Sequence, residues 1–239
     1  MLPRISNKDL KKIDVVVLCG GMGTRLREVI NDRPKPMAEI NKKPFLDILL
    51  DYISTFGFKR FIFCVGYMAD VIKSYYANRN QLEIIFSVED MPLGTGGAIK
   101  KAQRFIHSNP FLVVNGDSLC KVDLSEFYHF HVEKNALLSM VVVESKSTGD
   151  YGLLSLDNTQ RVVSFDEKGK GGGALVNAGI YLFDKQVFSL MPSDIKFSLE
   201  YDLFTKLVGG KFYGCKMRGE LIDIGTPERF KQAVELFNR

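Results

Sequence analysis

The stretch Leu18-Cys19-Gly20-Gly21-Met22-Gly23-Thr24-Arg25-Leu26, followed by Arg33-Pro34-Lys35-Pro36-Met37, decides how this chain is read. Residues 13–18 before it form an apolar, β-branched run, the pattern of a fully buried strand. Glycines at 20, 21 and 23 then let the backbone turn sharply with its N–H groups exposed, and no Cβ blocks the approach of an anion. Arg25 and Lys35 set two positive charges beside those donors. The stretch reads as a cradle for a polyphosphate.

Two commoner phosphate-binding turns fit less well. A P-loop closes its glycines with Lys-Ser/Thr, which this turn lacks. The dinucleotide fingerprint G-x-G-x-x-G is matched in part, since Gly21-Met22-Gly23-Thr24-Arg25-Leu26 ends in leucine. No acid closes the second strand, near Val65-Gly66-Tyr67, to hold a ribose. A nicotinamide dehydrogenase is therefore a weak rival.

The double motif resembles the sugar-1-phosphate nucleotidyltransferases, whose G-G-x-G-T-R-L element is followed by P-K-P-M. The likeness runs over residues 13–237. It implies a Rossmann-like α/β fold: a mixed, mainly parallel sheet flanked by helices, with an inserted β-rich acceptor-binding half. It also implies one domain over 13–239 after an N-terminal extension of 1–12. Residues 13–117 would form the nucleotide-binding half and 118–239 the sugar-phosphate-binding half.

Composition agrees with an enzyme of small anionic substrates. The 239 residues are 46% hydrophobic, enough for a large core. No run approaches the roughly 18 apolar residues of a membrane helix. The first twelve residues are charged and lack a signal-peptide core. A net charge of +4 with no basic run argues against nucleic acid. The four cysteines, at 19, 64, 120 and 215, form no C-x-x-C pair, so they are expected to be reduced and buried in a cytoplasmic protein.

Along the chain, strands are expected over 60–65, 82–88 and 111–114, alternating with helices over 44–56, 69–76 and 98–106. That alternation argues for a parallel sheet with helices on both faces. Later the spacing tightens: a helix opened by Asp123 and Glu126, then strands over 137–144, 152–156, 161–165 and 176–183. The turn Asp157-Asn158 joins two of these as a hairpin. A helix over 199–207, strands around Phe212 and Leu221, and a helix opened by Thr226-Pro227 complete the chain.

Two acids stand at strand ends. Asp117, in Asn115-Gly116-Asp117, and Asp223, in Leu221-Ile222-Asp223-Ile224-Gly225, follow apolar runs. A carboxylate in Asp117's place is either a helix cap or a Mg²⁺ ligand. An unpaired buried carboxylate is costly, so the two acids need a shared reason. By resemblance, they hold one catalytic Mg²⁺ that bridges nucleotide and sugar phosphate.

The same resemblance assigns Leu18, Gly20, Gly21, Gly23, Thr24, Arg25, Glu89, Gly94 and Thr95 to the nucleotide, with the Gly-rich turn Leu93-Gly94-Thr95-Gly96-Gly97-Ala98 as a pocket wall. Gly152, Glu167, Lys168 and Asn177 fall to the sugar phosphate. Gly169 replaces the proline of the family's E-K-P element, which loosens that loop. Arg25, Lys35 and Asp117 would be the catalytic groups. The three histidines are expected at the surface, and no Ser-His-Asp or Cys-His set is assigned.

Within the family the pattern looks most like the D-glycero-α-D-manno-heptose-1-phosphate guanylyltransferases. Mannose-1-phosphate guanylyltransferases and other hexose-1-phosphate enzymes are the alternative, and a silent nucleotide-sugar sensor is a further rival. The implied partners are GTP and a sugar 1-phosphate, with a homodimer compatible and neither nucleic acid nor membrane expected. Glu89 carries the base argument. Guanine presents two adjacent donors, N1–H and the 2-amino group, and an ionised carboxylate accepts both. Asp90 could take that place if the loop register differs.

Overall fold

The computed structural model describes residues 10–79, 81–145, 151–166, 174–193 and 195–238. Four parallel strands make its centre: β1 (Asp14–Leu18), β4 (Arg60–Val65), β5 (Glu83–Val88) and β6 (Phe111–Asn115), in the spatial order β5-β4-β1-β6. Their residues alternate between two cores. Val15, Val17, Phe61, Phe63, Leu112 and Val114 face one side, and Val16, Ile62, Cys64, Phe111 and Val113 the other. Both faces are apolar because helices cover both, as parallel sheets require.

The helix α1 (Phe45–Thr55) buries Phe45, Leu46, Leu49, Leu50 and Ile53 on the first face. It begins one residue after Pro44, which ends β3 (Lys43–Pro44) in a short hairpin with β2 (Glu39–Ile40). α2 (Ala69–Tyr76) packs on that same face, and α3 (Gly94–Ala102) on the second.

The second half of the chain extends this sheet. β11 (Ala174–Phe183) runs antiparallel to β6 and also pairs with β8 (Leu138–Ser145). β12 (Phe212–Lys216) joins β8 in parallel, and the hairpin β9 (Leu153–Leu156) and β10 (Val162–Asp166) pairs with β11 through β9. Nine strands thus share one sheet. A separate two-stranded ribbon, β7 (Ser118–Cys120) with β13 (Leu221–Asp223), stands beside it. Asp123 caps α4 (Leu124–Glu133), accepting from the N–H groups of Ser125 at 2.8 Å and Glu126 at 3.1 Å. Thr226 caps the last helix, α6 (Pro227–Phe237).

Several expectations need correction. The glycines of 93–98 do not form a loop: α3 starts at Gly94, and the N–H groups of Gly96 and Gly97 bond to the Phe197 carbonyl at 2.9 and 3.1 Å. The expected helix over 199–207 is a π-helical turn, Leu199–Phe204, running into a short α5 (Thr205–Leu207). The hairpin expected at Asp157-Asn158 does join β9 to β10, with Gln160 at positive φ and Asp157 accepting from the N–H groups of Thr159 and Arg161.

His131 is buried, at 4% exposure, and not on the surface. Its Nδ1 lies 2.9 Å from Ser139 Oγ of β8, and burial pushes its pKa down to about 4. All four cysteines are buried and unpaired. Among the described residues no helix is long and apolar enough to cross a membrane.

Candidate active site

The sheet order reverses at β1: β4 and β5 follow on one side of it and β6 lies on the other. Ligands of open α/β sheets bind at such a point, outside the carboxyl ends of the strands. Here Leu18 is paired with Asn115, and the Gly116 N–H donates to the Leu18 carbonyl at 2.9 Å. The glycine loop and the Asn115-Gly116-Asp117 turn therefore emerge side by side. Between them opens a cleft of about 300 Å³.

The cleft is lined by Gly21, Gly23, Lys35 and Asp117. Lys35 lies in a 3₁₀ turn, Lys35–Met37, and its ammonium forms an ion pair with the Asp117 carboxylate. No helix follows Asp117, because β7 begins at the next residue, so the capping role is excluded.

Glu89, Gly94, Thr95 and Lys196 line it as well. Glu89 Oε2 accepts from the Leu93 N–H at 2.9 Å. Its Oε1 lies 2.9 Å from where a Cβ on Gly20 would sit, and the Gly66 N lies 3.1 Å from the same point, so the glycine leaves the carboxylate its present place. Burial pushes the Glu89 pKa up, against the Leu93 N–H and the charge of Lys101, which lower it. Asp90 points elsewhere: its carboxylate is 89% exposed and pairs with Lys101 at 2.9 Å. The Thr95 hydroxyl is committed within the fold, donating to Glu200 at 2.7 Å and accepting from the Leu199 N–H at 2.9 Å.

Thr24 and Arg25 are the exposed residues of the turn Thr24–Leu26, whose Leu26 is buried, and they do not line this cleft. The Arg25 guanidinium lies beside Gly225, in the turn after Asp223. The thiols of Cys19 and Cys64 do line the cleft, but burial, and next the charge of Glu89, pushes the Cys19 pKa up. A neutral buried thiol is no nucleophile.

The remaining predicted groups gather around Asp223. Its carboxylate accepts from the Tyr151 hydroxyl, from the Gly225 N–H at 2.8 Å and from Arg229 at 3.3 Å. The Arg229 guanidinium also stands 4.3 Å over the Tyr151 ring. Gly152, next in the chain, accepts a backbone bond from Asn177 at 3.0 Å. The Asn177 side chain accepts from the Gly179 N–H at 2.9 Å and donates to the Tyr181 hydroxyl at 2.8 Å, which pins a bulge in β11. Gly179 has φ +73°, and a Cβ there would lie 2.8 Å from both Asn115 Nδ2 and Ser118 Oγ. Glu167 and Lys168 lie outside the described residues.

Asp117 and Asp223 are neighbours through the β7–β13 ribbon. Asp223 is opposite Ser118, and the Ile224 N–H donates to the Asp117 carbonyl at 3.0 Å. Both carboxylates act on the Tyr151 hydroxyl, whose pKa rises through burial first, then Asp223, with Asp117 a smaller cause. Among the described residues no three acidic, histidine or cysteine side chains gather into a metal cage. Of the two acids Asp117 lines the cleft, while Asp223 stands in the neighbouring hollow with Tyr151 and Arg229.

Residues 14–238 match the family described as Nucleotidyl transferase. The chain is 37% identical to D-glycero-α-D-manno-heptose 1-phosphate guanylyltransferase of Aneurinibacillus thermoaerophilus, over 92% of this chain and 96% of that protein. It is 36% identical to the enzyme of the same name from Campylobacter jejuni, over 91% and 97%. The chain belongs to the nucleotidyl transferase family.

A solved structure, HddC from Yersinia pseudotuberculosis complexed with GMP-PN, superposes with a TM-score of 0.85 at 39% identity, covering 94% of this chain and 99% of that one. In this nucleotidyl transferase the sequence motifs assign no role to Asn115, Tyr151, Lys196 or Arg229. Asn115 and Tyr151 adjoin residues that were read, at Asp117 and Gly152. Lys196 and Arg229 carried no signal, since a single cation outside a motif has none.

Proposed function

We propose that the chain transfers the guanylyl group of GTP to D-glycero-α-D-manno-heptose 1-phosphate, releasing pyrophosphate and forming GDP-heptose. An oxygen of the sugar phosphate attacks the α-phosphorus in line, and the bond to the pyrophosphate oxygen breaks. No protein nucleophile is needed, so catalysis is positioning and charge stabilisation. The observation that carries the reading is the cleft itself. It is lined by both the Lys35–Asp117 pair and the half-buried Glu89. Likeness over nearly the full length of two heptose 1-phosphate guanylyltransferases supports the choice of sugar.

In this reading Leu18, Gly20, Gly21 and Gly23 line the nucleotide, the glycines turning backbone N–H groups to its phosphates, and Glu89 reads the base. Gly94 and Thr95 close the wall, Thr95 through its backbone because its hydroxyl is engaged. Thr24 and Arg25 approach from the rim, with Arg25 on the departing pyrophosphate. Lys35 stabilises charge at the reacting phosphates. Gly152, Asn177, Glu167 and Lys168 take the sugar phosphate, the first two joined by their backbone bond. Asp117 and Asp223 would hold Mg²⁺, which when bound neutralises phosphate charge. The two halves, 13–117 and 118–239, thereby divide nucleotide from sugar.

Incubation with GTP, Mg²⁺ and the heptose 1-phosphate, followed by mass analysis, tests the proposal. GDP-heptose and an equal amount of pyrophosphate are expected. GTP consumed to GDP and phosphate, with no sugar product, would overturn it.

A further inference from the structure

Leu93 is held from both sides. Its N–H donates to Glu89 at 2.9 Å, and its carbonyl accepts from the Phe197 N–H at 2.8 Å. The segment 195–197 is pressed onto α3 at this point, with the Phe197 carbonyl taking the N–H groups of Gly96 and Gly97. Lys196 is therefore one residue from a bond to the same Leu93 that Glu89 grips. Its side chain is exposed and lines the cleft along with Glu89. No described carboxylate pairs with its ammonium.

The cleft lining thus offers an acceptor, Glu89, and a cationic donor, Lys196, whose segments are both bonded to the Leu93 backbone. Guanine is the base that complements both. Its Watson–Crick edge carries two adjacent donors, N1–H and the 2-amino group, followed by the acceptor O6. Adenine reverses the pattern, with a donor at position 6 and an acceptor at N1. The geometry points to Lys196 as the second reader of the base: its ammonium donates to guanine O6 while Glu89 accepts from N1–H and the 2-amino group. Lysine is a common partner of guanine O6. The assignment rests on the GTP reading above.

The test alters one ligand atom against one side chain. kcat/KM is measured for GTP and 6-thio-GTP, in which a weakly accepting sulfur replaces O6, with wild type, Lys196→Met and Lys196→Arg. Wild type should prefer GTP by roughly tenfold, the scale of a charge-assisted hydrogen bond. Lys196→Met should lose that factor with GTP, change less than about twofold with 6-thio-GTP, and so treat the two alike; Lys196→Arg should keep most of the preference. Circular dichroism of each variant checks that the fold is kept. Equal losses of both nucleotides in Lys196→Met would put the ammonium on ribose or phosphate and overturn the assignment, as would no loss of either. A wild type inactive with GTP would overturn the guanylyltransferase reading and this inference together.

Discussion

The ammonium of Lys35 rests on the carboxylate of Asp117, tying the loop that leaves β1 to the turn that leaves β6. A cation and an acid from two separate loops are so fixed at the point where phosphates would meet. Both side chains are partly exposed, 16% for Lys35 and 29% for Asp117, so the pair contributes little to stability. Asp117→Asn should accordingly lower kcat/KM by about a hundredfold or more, because Lys35 loses its partner and the proposed Mg²⁺ would lose a ligand. The melting temperature should fall by no more than about 4 °C, the scale of 1 kcal/mol in a domain of this size. Steady-state kinetics beside a thermal melt separates the two effects, and a variant within twofold of wild type would remove Asp117 from the catalytic set.

Glu89 should govern the choice of base. Glu89→Gln is expected to narrow the preference for GTP over UTP and dTTP by at least about tenfold, ~1.4 kcal/mol. The pH dependence follows from the raised pKa. The ionised carboxylate is the form that accepts both guanine donors, so kcat/KM for GTP should fall on acidification at a pH above the ordinary glutamate value of 4.5. The same step should be absent in Glu89→Gln. A pH profile of both proteins checks the sign.

His131 makes stability depend on acid. Its folded pKa, about 4, lies below the ordinary 6.5, so the unfolded chain binds the proton first as pH falls. Stability from the neutral, buried ring is full above pH 6.5 and is lost progressively between there and pH 4. The loss approaches about 3 kcal/mol at 1.36 kcal/mol per unit. Urea unfolding at pH 7 and pH 4.5 should show a gap that shrinks in His131→Gln. An equal gap in both proteins would assign the acid sensitivity to other groups.

The first half of the chain is legible in the sequence because its signals are local. The apolar run before Gly20, the glycines and the Lys35 turn each report on their own few residues, and β1, β4, β5 and β6 stand within a residue or two of where periodicity put them. What was misread depends on distant partners. Gly96 and Gly97 look like loop residues but are helical because Phe197, a hundred residues later, meets their N–H groups. His131 looks like a surface histidine on its own helix and is buried because Ser139 of β8 receives it. Lys196 acquires meaning only through the bond that seats its neighbour on Leu93.

Gly179 links the two halves of the site. With φ +73° and no room for a Cβ beside Asn115 and Ser118, it sets the bulge that carries Asn177 toward Gly152. Gly179→Ala should cost about 2 kcal/mol or more in stability, from left-handed strain and overpacking. Its KM for the sugar phosphate should rise more than its KM for GTP, since Asn177 moves with the bulge. Denaturant unfolding and two-substrate kinetics measure both. An unchanged sugar-phosphate KM would detach Asn177 from that substrate.

Initial rates of pyrophosphate release with Mg²⁺ decide the substrate pair, with GTP, UTP and dTTP each offered D-glycero-α-D-manno-heptose 1-phosphate, mannose 1-phosphate and glucose 1-phosphate. GTP with the heptose 1-phosphate should give the highest kcat/KM, at least about tenfold above any other pair. A higher value for UTP or dTTP with any sugar, or no pyrophosphate from any pair, would contradict it.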